Sequence, residues 1–221
     1  MGPGSKELMF LTQYCLDAET LIQAPSWVSY ANQSTVLDIK TSPIQTTFED
    51  KWKITPSSLD PVMSDKRQLV VINYPGNPTG MTYSESELKA LAGKLDRLNT
   101  VVISDEIYNE LLFEGRRTSI SKYLPDTTMI FSGISKAHGA GGWRLGFCIV
   151  PDRLKEVKEA IVKVASETYS TASAPVQFAA MAAFDVRDEK LTRLLSDKAR
   201  ILSSISHRTI EKLNQHGIRC H

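Results

Sequence analysis

The sequence predicts an α/β fold built on a largely parallel sheet. Short apolar runs that do not alternate with polar residues lie between helical segments, as is typical of strands buried on both faces of such a sheet. Polar residues follow these runs directly, at the carboxyl ends where open α/β sheets bind ligands. With 42% hydrophobic residues among 221, the chain can bury one large domain, or one domain and part of another.

Three segments carry helix signals. Ser5 precedes an apolar pattern with helical spacing, which predicts a helix that begins near it. Ser84 and Glu87 have the spacing of a capping box and open a second leucine-containing pattern. The tail over residues 187–214 repeats apolar residues at helical spacing and predicts one long helix.

The strands are predicted from short apolar runs. These runs cover residues 68–73, 100–104, 128–132 and 147–150. Residues 41–61 hold polar sequence interrupted by three prolines, which predicts a loop with no more than a single helical turn.

Composition excludes several classes of function. The formal charge of +1 leaves no basic stripe for a nucleic acid or an anionic membrane. The apolar runs are far too short for a membrane span, and no targeting segment is visible at the N-terminus. Three cysteines without CxxC spacing argue against a disulfide scaffold or a zinc site, so we expect no metal and a cytoplasmic location.

The polar residues after three predicted strands are candidates for one ligand site. Asn77 follows the first of these strands, Asp105 and Tyr108 follow the second, and Ser135 and Lys136 follow the third. Because the carboxyl ends of parallel strands share one edge of the sheet, we expect these side chains to meet in one crevice.

Several motifs in this order carry a resemblance to a known family. They are Asn77-Pro78-Thr79-Gly80, Asp105-Glu106-Ile107-Tyr108, Ser135-Lys136 and Gly142-Trp143-Arg144-Leu145-Gly146, preceded by early segments at residues 2–8 and 25–27. The chain resembles, over nearly its whole length, the class I/II aminotransferases, the aspartate-aminotransferase-like group of fold-type-I enzymes. The resemblance implies pyridoxal 5'-phosphate (PLP) as cofactor and a three-layer α/β/α large domain with a mostly parallel sheet.

By this resemblance, Lys136 forms the Schiff base with the cofactor aldehyde and then moves the proton between the substrate α-carbon and the cofactor. Such chemistry needs an amine that can be neutral, which cationic or apolar surroundings favour. The alternative for Lys136 is an ordinary solvated surface lysine.

The resemblance also assigns the groups around the cofactor ring. Asp105 would pair with the protonated pyridine nitrogen, and Tyr108 and Asn77 would bind the 3′ oxygen. Trp27 would stack on the ring face. The alternatives are a loop-capping aspartate, a packed tyrosine, an ordinary Asn-Pro turn and a core tryptophan.

Arg144 and the turn formed by Gly4, Ser5 and Lys6 are the candidates for the cofactor phosphate. The guanidinium offers a bidentate fork, and the turn offers backbone N–H groups at the start of a helix. A plain N-cap at Ser5 is the alternative for the turn. The family pattern places a hydroxyl three residues before the lysine, where this chain has Gly133, so Ser132 or Ser135 would have to replace it.

The domain organisation expected from the resemblance has two parts. Residues 1–185 would be the PLP-binding large domain, lacking its N-terminal arm and first strand. Residues 186–221 would be a long helix leading to a small domain that is largely missing and that holds the substrate-carboxylate arginine in the family. A homodimer is expected, and residues 169–173 are a candidate for reaching the partner's cofactor phosphate.

The sequence therefore predicts a PLP-dependent aminotransferase that moves an amino group from an amino acid to a 2-oxo acid, in a fragment whose own activity is open. Two alternatives stay beside it. The same cofactor site could end in β-elimination, as in carbon–sulfur lyases, or the fold could serve as a non-catalytic cofactor-binding domain.

Overall fold

The computed structural model describes residues 1–97, 99–113, 115, 117–185 and 187–221. Its helices are α1 (Ser5–Leu16), α2 (Ser29–Val36), α3 (Pro56–Leu59), α4 (Glu85–Leu95), α5 (Lys155–Thr168), α6 (Ala174–Ala183) and α7 (Glu189–Gln215). Its strands are β1 (Glu19–Ala24), β2 (Thr41–Gln45), β3 (Gln68–Asn73), β4 (Thr100–Asp105), β5 (Thr128–Gly133) and β6 (Gly146–Ile149).

The strands form one six-stranded sheet in the order β2-β1-β3-β4-β5-β6. Every neighbouring pair is parallel except β5 and β6, which run antiparallel. In register, Asn73 at the end of β3 lies beside Asp105 at the end of β4. The carboxyl ends of β3, β4 and β5 therefore share one edge, as the sequence predicts.

Helices cover both faces of the sheet, because alternate residues of the same strand point to opposite layers. On one face, Leu69 and Val71 pack in a core with α1 and α5. On the other face, Val70 and Ile72 pack in a second core with α3 and α4. The predicted mostly parallel α/β/α architecture is confirmed.

The four predicted strands and the three predicted helices all form. β3 matches its predicted bounds, and the other three strands agree to within about one residue at an end. The predicted capping box is present, since the Ser84 side chain accepts from Glu87 N–H and the Glu87 carboxylate accepts from Ser84 N–H. α7 is a single helix of 27 residues, close to the predicted span.

The prediction of a loop over residues 41–61 is wrong at its start. Residues Thr41–Gln45 form β2, which pairs in parallel with β1. Pro43 has no N–H to donate, but β2 is at the edge of the sheet and has a neighbour on one side only. The single helical turn is present as α3, where Thr55 caps the helix and Pro56 occupies its first turn.

α7 lies mostly exposed. Only Leu195 and Ala199 are buried along it among the described residues, while Leu194 and Ile201 remain more than half exposed. The division into residues 1–185 and 186–221 stays a prediction, and Val186 itself lies outside the described residues. In the described ranges, no helix combines the length and apolar character that a bilayer crossing requires.

Candidate active site

One cavity of about 390 Å³ opens at the carboxyl edge of the sheet. It is lined by ten residues that the sequence proposes for the cofactor site: Gly4, Ser5, Lys6, Trp27, Asn77, Asp105, Tyr108, Ser135, Lys136 and Arg144. Segments that are far apart in the chain thus converge on one place. Their individual roles remain predictions, and the geometry below describes what each side chain can do.

Asp105 is the acid of this cavity and ends β4. Asp105 is 3% exposed. Tyr30 donates to its Oδ2 over 2.6 Å, and the Ile107 N–H donates to its Oδ1 over 3.2 Å. Burial raises the pKa of Asp105 to about 6, against the lowering effects of the Tyr30 hydrogen bond and of the Lys136 charge. The ionised form of a carboxyl buried in this way is stabilised most by a cationic partner.

Lys136 and Tyr108 face each other across the cavity. The Lys136 ammonium lies 5.4 Å from the centre of the Tyr108 ring, within the range of a cation–π contact. Lys136 follows the end of β5, and its carbonyl accepts from Gly139 N–H over 3.1 Å. The Lys198 ammonium on α7 donates to the carbonyl of Ala137 over 2.9 Å, which fastens the segment next to Lys136.

Asn77 is held by Asn73, a residue that sequence reasoning did not single out. The Asn73 Oδ1 accepts from Asn77 N–H over 2.7 Å, and its Nδ2 donates to the Asp105 carbonyl over 3.0 Å. Asn73 therefore joins the ends of β3 and β4 to the Asn-Pro turn. Its position at the end of a predicted strand was the signal that could have identified it.

Trp27 lies two residues before the start of α2. Its ring meets Tyr30 edge-on, with centroids 5.4 Å apart and planes at 88°. The Lys6 ammonium lies 4.9 Å from the Trp27 ring centre. One aromatic face therefore borders the cavity, beside the hydroxyl that holds Asp105. Tyr30 was also missed, because it lies in α2 whereas Trp27 precedes that helix, and their contact exists only in the folded chain.

Arg144 packs directly against the turn at Gly4. The guanidinium donates to the Pro3 carbonyl over 2.9 Å and to the Gly141 carbonyl over 2.8 Å. Gly4 has a φ of +100°, and a Cβ there would lie 2.3 Å from Arg144 Nη2. Only glycine therefore fits this turn. The start of α1 brings its free N–H groups and a fixed arginine to one wall, a combination suited to an anion.

Gly2 and Gly146 join this wall to the sheet. The two residues exchange hydrogen bonds, each of 3.0 Å. Gly146 also packs so closely on α1 that a Cβ there would lie 2.1 Å from the Ser5 nitrogen. The close approach of β6 and α1 thus depends on a residue without a side chain.

Gly133 departs from the family pattern for a visible reason. A Cβ at this position would lie 2.6 Å from the Leu145 carbonyl oxygen and 2.9 Å from the Gly146 Cα. The antiparallel pairing of β5 with β6 leaves no space for a side chain here. Of the two proposed replacements, Ser135 lines the cavity, whereas Ser132 is not among its lining residues.

Residues 169–173 lie outside the cavity around Lys136. Tyr169 packs against the core formed with α1 and α5, and Ala172 belongs to a smaller core with α6. None of these residues lines the cavity within the part of the chain that the structure describes. Their proposed contact with a partner subunit stays a prediction.

A second cavity of about 390 Å³ lies beside α6. Its lining is largely apolar, with Phe147, Phe178 and Met181 among its residues, and no acid, base or nucleophile was found in it among the described residues. No group of three or more possible metal ligands occurs in the described ranges either. Within the described part of the chain, this apolar cavity therefore offers no reactive side chain, unlike the cavity around Lys136.

The groups present fit pyridoxal phosphate. A buried carboxyl suits a protonated ring nitrogen, an amine can react with an aldehyde, and a guanidinium with helix N–H groups suits a phosphate. All three kinds of group line one cavity.

Comparison with known proteins gives a consistent result. The family model described as aminotransferase class I and II matches residues 1–221. The aspartate aminotransferase of Bacillus subtilis is 32% identical over 94% of this chain and 54% of its own length. An asparagine–oxo-acid transaminase of Streptococcus mutans is 34% identical over 75% of this chain and 42% of its own length.

Solved structures agree with the sequence relatives. The chain is similar to an aromatic aminotransferase from Pyrococcus horikoshii, with a TM-score of 0.90 and 26% identity over 98% of this chain and 58% of that one. The chain spans about half the length of the relatives that it matches.

Proposed function

The chain belongs to the class I and II aminotransferases, and from this premise we propose that its cavity binds pyridoxal phosphate for amino-group transfer. The donor would be an amino acid and the acceptor a 2-oxo acid. The observation that carries the proposal is the convergence of Asp105, Lys136 and Arg144, from separate segments, on one cavity.

Each side chain has a role that its chemistry supports. When bound, pyridoxal phosphate supplies an electron sink for the pair left by the α-proton. Asp105 would keep the ring nitrogen protonated, and Lys136 would hold the cofactor through its amine and then carry the α-proton. Tyr108 and Asn77 would bind the 3′ oxygen.

The walls of the cavity would hold the remaining parts of the cofactor. Arg144, the N–H groups of Ser5 and Lys6, and the Ser135 hydroxyl would bind the phosphate, whereas the Gly4 N–H donates to the Gly2 carbonyl over 2.7 Å and shapes the turn. Trp27 would cover the ring face and exclude water from it. Amino-group transfer balances in itself, because the donor amino acid becomes an oxo acid while the acceptor oxo acid becomes an amino acid.

The proposal stays at the level of substrate class. The names of the relatives include aspartate, asparagine and aromatic amino acids, and the chain spans about half of each. We extend the proposal to a homodimer and a cytoplasmic location, the second from the three cysteines that are free in the structure. A small domain beyond α7 would supply the substrate carboxylate contact.

The test is covalent trapping of the cofactor. Pyridoxal phosphate is added, its visible absorbance is recorded, borohydride fixes it to the lysine with which it has reacted, and the labelled peptide is identified. Label on Lys136 is expected, with loss of label in Lys136→Arg. Lys6→Arg is the matched control, since Lys6 also lines the cavity and its variant should keep the label.

Label on another lysine, or no label, would contradict the proposal. The reaction type is tested separately in the labelled protein. Turnover of an amino acid that depends on an added 2-oxo acid indicates transfer, whereas pyruvate release without an oxo acid would indicate a lyase.

A further inference from the structure

Glu106 is a buried carboxylate that the proposed chemistry does not use. The residue is 7% exposed. Its Oε1 accepts from Ser104 over 2.8 Å and from Ser119 over 2.5 Å, and its Oε2 accepts from Asn109 Nδ2 over 3.2 Å. Neutral donors thus satisfy this carboxylate, without a salt bridge to it among the described residues. A buried group with this many partners fixes the segments that supply them.

The donors come from separate parts of the chain. Ser104 is in β4, whereas Ser119 precedes the short helix Ile120–Lys122. Tyr74, just after β3, extends the network, since its hydroxyl lies 2.9 Å from the Ser104 hydroxyl and accepts from Ile120 N–H over 2.8 Å. The carboxylate therefore ties the ends of two strands to the loop that follows β4.

The backbone of Glu106 is fixed as firmly as its side chain. Its N–H donates to the Phe131 carbonyl of β5 over 2.9 Å, and its carbonyl accepts from Asn109 N–H over 3.0 Å. Residues 106 and 109 are thus joined twice, once by backbone and once by side chains. Tyr108 lies between them, and its ring reaches the cavity from this closed turn.

We propose that Glu106 is a positioning residue that fixes Tyr108 in the cavity by closing the turn from residue 106 to residue 109. The inference rests on the proposed function only for its effect on the cofactor. The placement of Tyr108 is a property of the chain itself and is tested without cofactor.

The first test measures amide hydrogen exchange of the cofactor-free chain. In Glu106→Gln, the negative charge is lost and an amide N–H₂ replaces one carboxylate oxygen, so the hydrogen bonds from Ser104, Ser119 and Asn109 weaken. Exchange at Asn109 and Leu111, whose N–H groups bond the carbonyls of Glu106 and Tyr108, should rise about tenfold. Unchanged exchange at both amides would overturn the proposal.

Glu19→Gln is the matched control. Glu19 accepts from Ser42 over 2.7 Å and from Gln68 over 3.2 Å, and it also pairs with the exposed Lys40 over 2.6 Å. It lies at the start of β1 and so at the other end of the sheet. This variant also loses a carboxylate bonded to a hydroxyl and an amide, but exchange at Asn109 and Leu111 should stay at the unsubstituted rate. If exchange at Asn109 and Leu111 rose equally in this control, the fold would be destabilised as a whole, and the specific role of Glu106 would be overturned.

The second test uses the absorbance of bound cofactor as a function of pH. Tyr108→Phe should raise the pH midpoint of the spectral change. The Tyr108 phenol would donate to the 3′ oxygen, and this bond would favour the form in which the nitrogen between Lys136 and the cofactor has lost its proton. Without the phenol, a higher pH is needed to remove that proton. Glu106→Gln should raise the midpoint in the same direction. If Glu106 acts through Tyr108, the double variant should show no more than the shift of Tyr108→Phe.

Additive shifts, or no shift in Glu106→Gln, would overturn the proposal. Failure of the proposed function has a different signature, since the unsubstituted chain would then show no cofactor absorbance at all. In that event the exchange experiment still decides whether Glu106 fixes the turn.

Discussion

The Tyr30 hydroxyl donates a 2.6 Å hydrogen bond to the Asp105 carboxylate, and both residues are buried at the floor of the cavity. The two residues lie 75 positions apart in the chain. The bond joins α2 to the end of β4, so the orientation of the proposed ring-binding acid depends on a neutral donor from a helix that contains no charged residue.

Tyr30→Phe should destabilise the chain at pH 7. The substitution keeps the ring but leaves the buried carboxylate with one donor fewer, which raises the pKa of Asp105 further and lowers the free energy of unfolding by about 1–3 kcal/mol. Urea unfolding measures the loss. Tyr14→Phe is the control because Tyr14 is 58% exposed, and a loss of the same size in both variants would contradict this account.

Asp105 should make stability depend on pH. Burial raises its pKa from 3.8 to about 6, so the folded chain binds this proton more tightly than the unfolded chain does. Between these two values the unfolded chain releases the proton first, and the contribution of this carboxyl to stability falls as pH rises. The total fall is about 3 kcal/mol.

Asp105→Asn should remove this part of the pH dependence. The free energy of unfolding is measured by urea titration without cofactor at several values between pH 4 and pH 7. Asp65→Asn, at an exposed position, should keep the slope of the unsubstituted chain. An unchanged slope in Asp105→Asn would show that Asp105 is not the group responsible.

Gly133→Ala should destabilise the chain, because its Cβ would lie 2.6 Å from the Leu145 carbonyl oxygen. We expect a loss of about 1–3 kcal/mol in the free energy of unfolding. Gly93→Ala is the opposite case, since Gly93 lies within α4 and has no atom within 4 Å of an added Cβ. That variant should gain about 0.5–1 kcal/mol, and equal effects would refute the packing argument.

Ser135→Ala should weaken cofactor binding, whereas Ser132→Ala should leave it unchanged. The reason is position, since Ser135 lines the cavity and Ser132 is absent from its lining residues. Loss of one hydrogen bond to a charged phosphate corresponds to about a tenfold rise in Kd. Titration of each variant with pyridoxal phosphate, followed by absorbance, measures this, and the reverse order would assign the phosphate contact to Ser132.

Apolar patterning predicted β3, β4, β5 and β6 but missed β1 and β2, which form one side of the sheet. β3 and β4 consist of near-continuous apolar residues that are buried on both faces. β2 has the sequence Thr-Ser-Pro-Ile-Gln and buries only Ile44, because it lies at the edge. A half-exposed edge strand with a proline carries little periodic signal, so it resembled a loop.

The site residues were predicted through motifs, and those outside the motifs were missed. Asp105, Lys136 and Arg144 belong to recognisable segments, whereas Tyr30 and Asn73 act through contacts that only the folded chain creates. α2 was missed for a related reason. Its buried residues include Gln33 and Ser34, which bond Gln13 of α1, so polar pairing replaces the apolar stripe that sequence patterns detect.

The reciprocal hydrogen bonds between Gly2 and Gly146 have a consequence for the order in which the chain matures. The opening turn of α1 precedes β6 in the chain and so leaves the ribosome before it, yet its place on the sheet exists only after β6 has been made. The wall formed by Gly4, Ser5 and Arg144 therefore cannot assemble before β6 is available, although Gly4 and Ser5 emerge well ahead of β6. A growing chain completes this wall of the cavity only when all six strands of the sheet have been made.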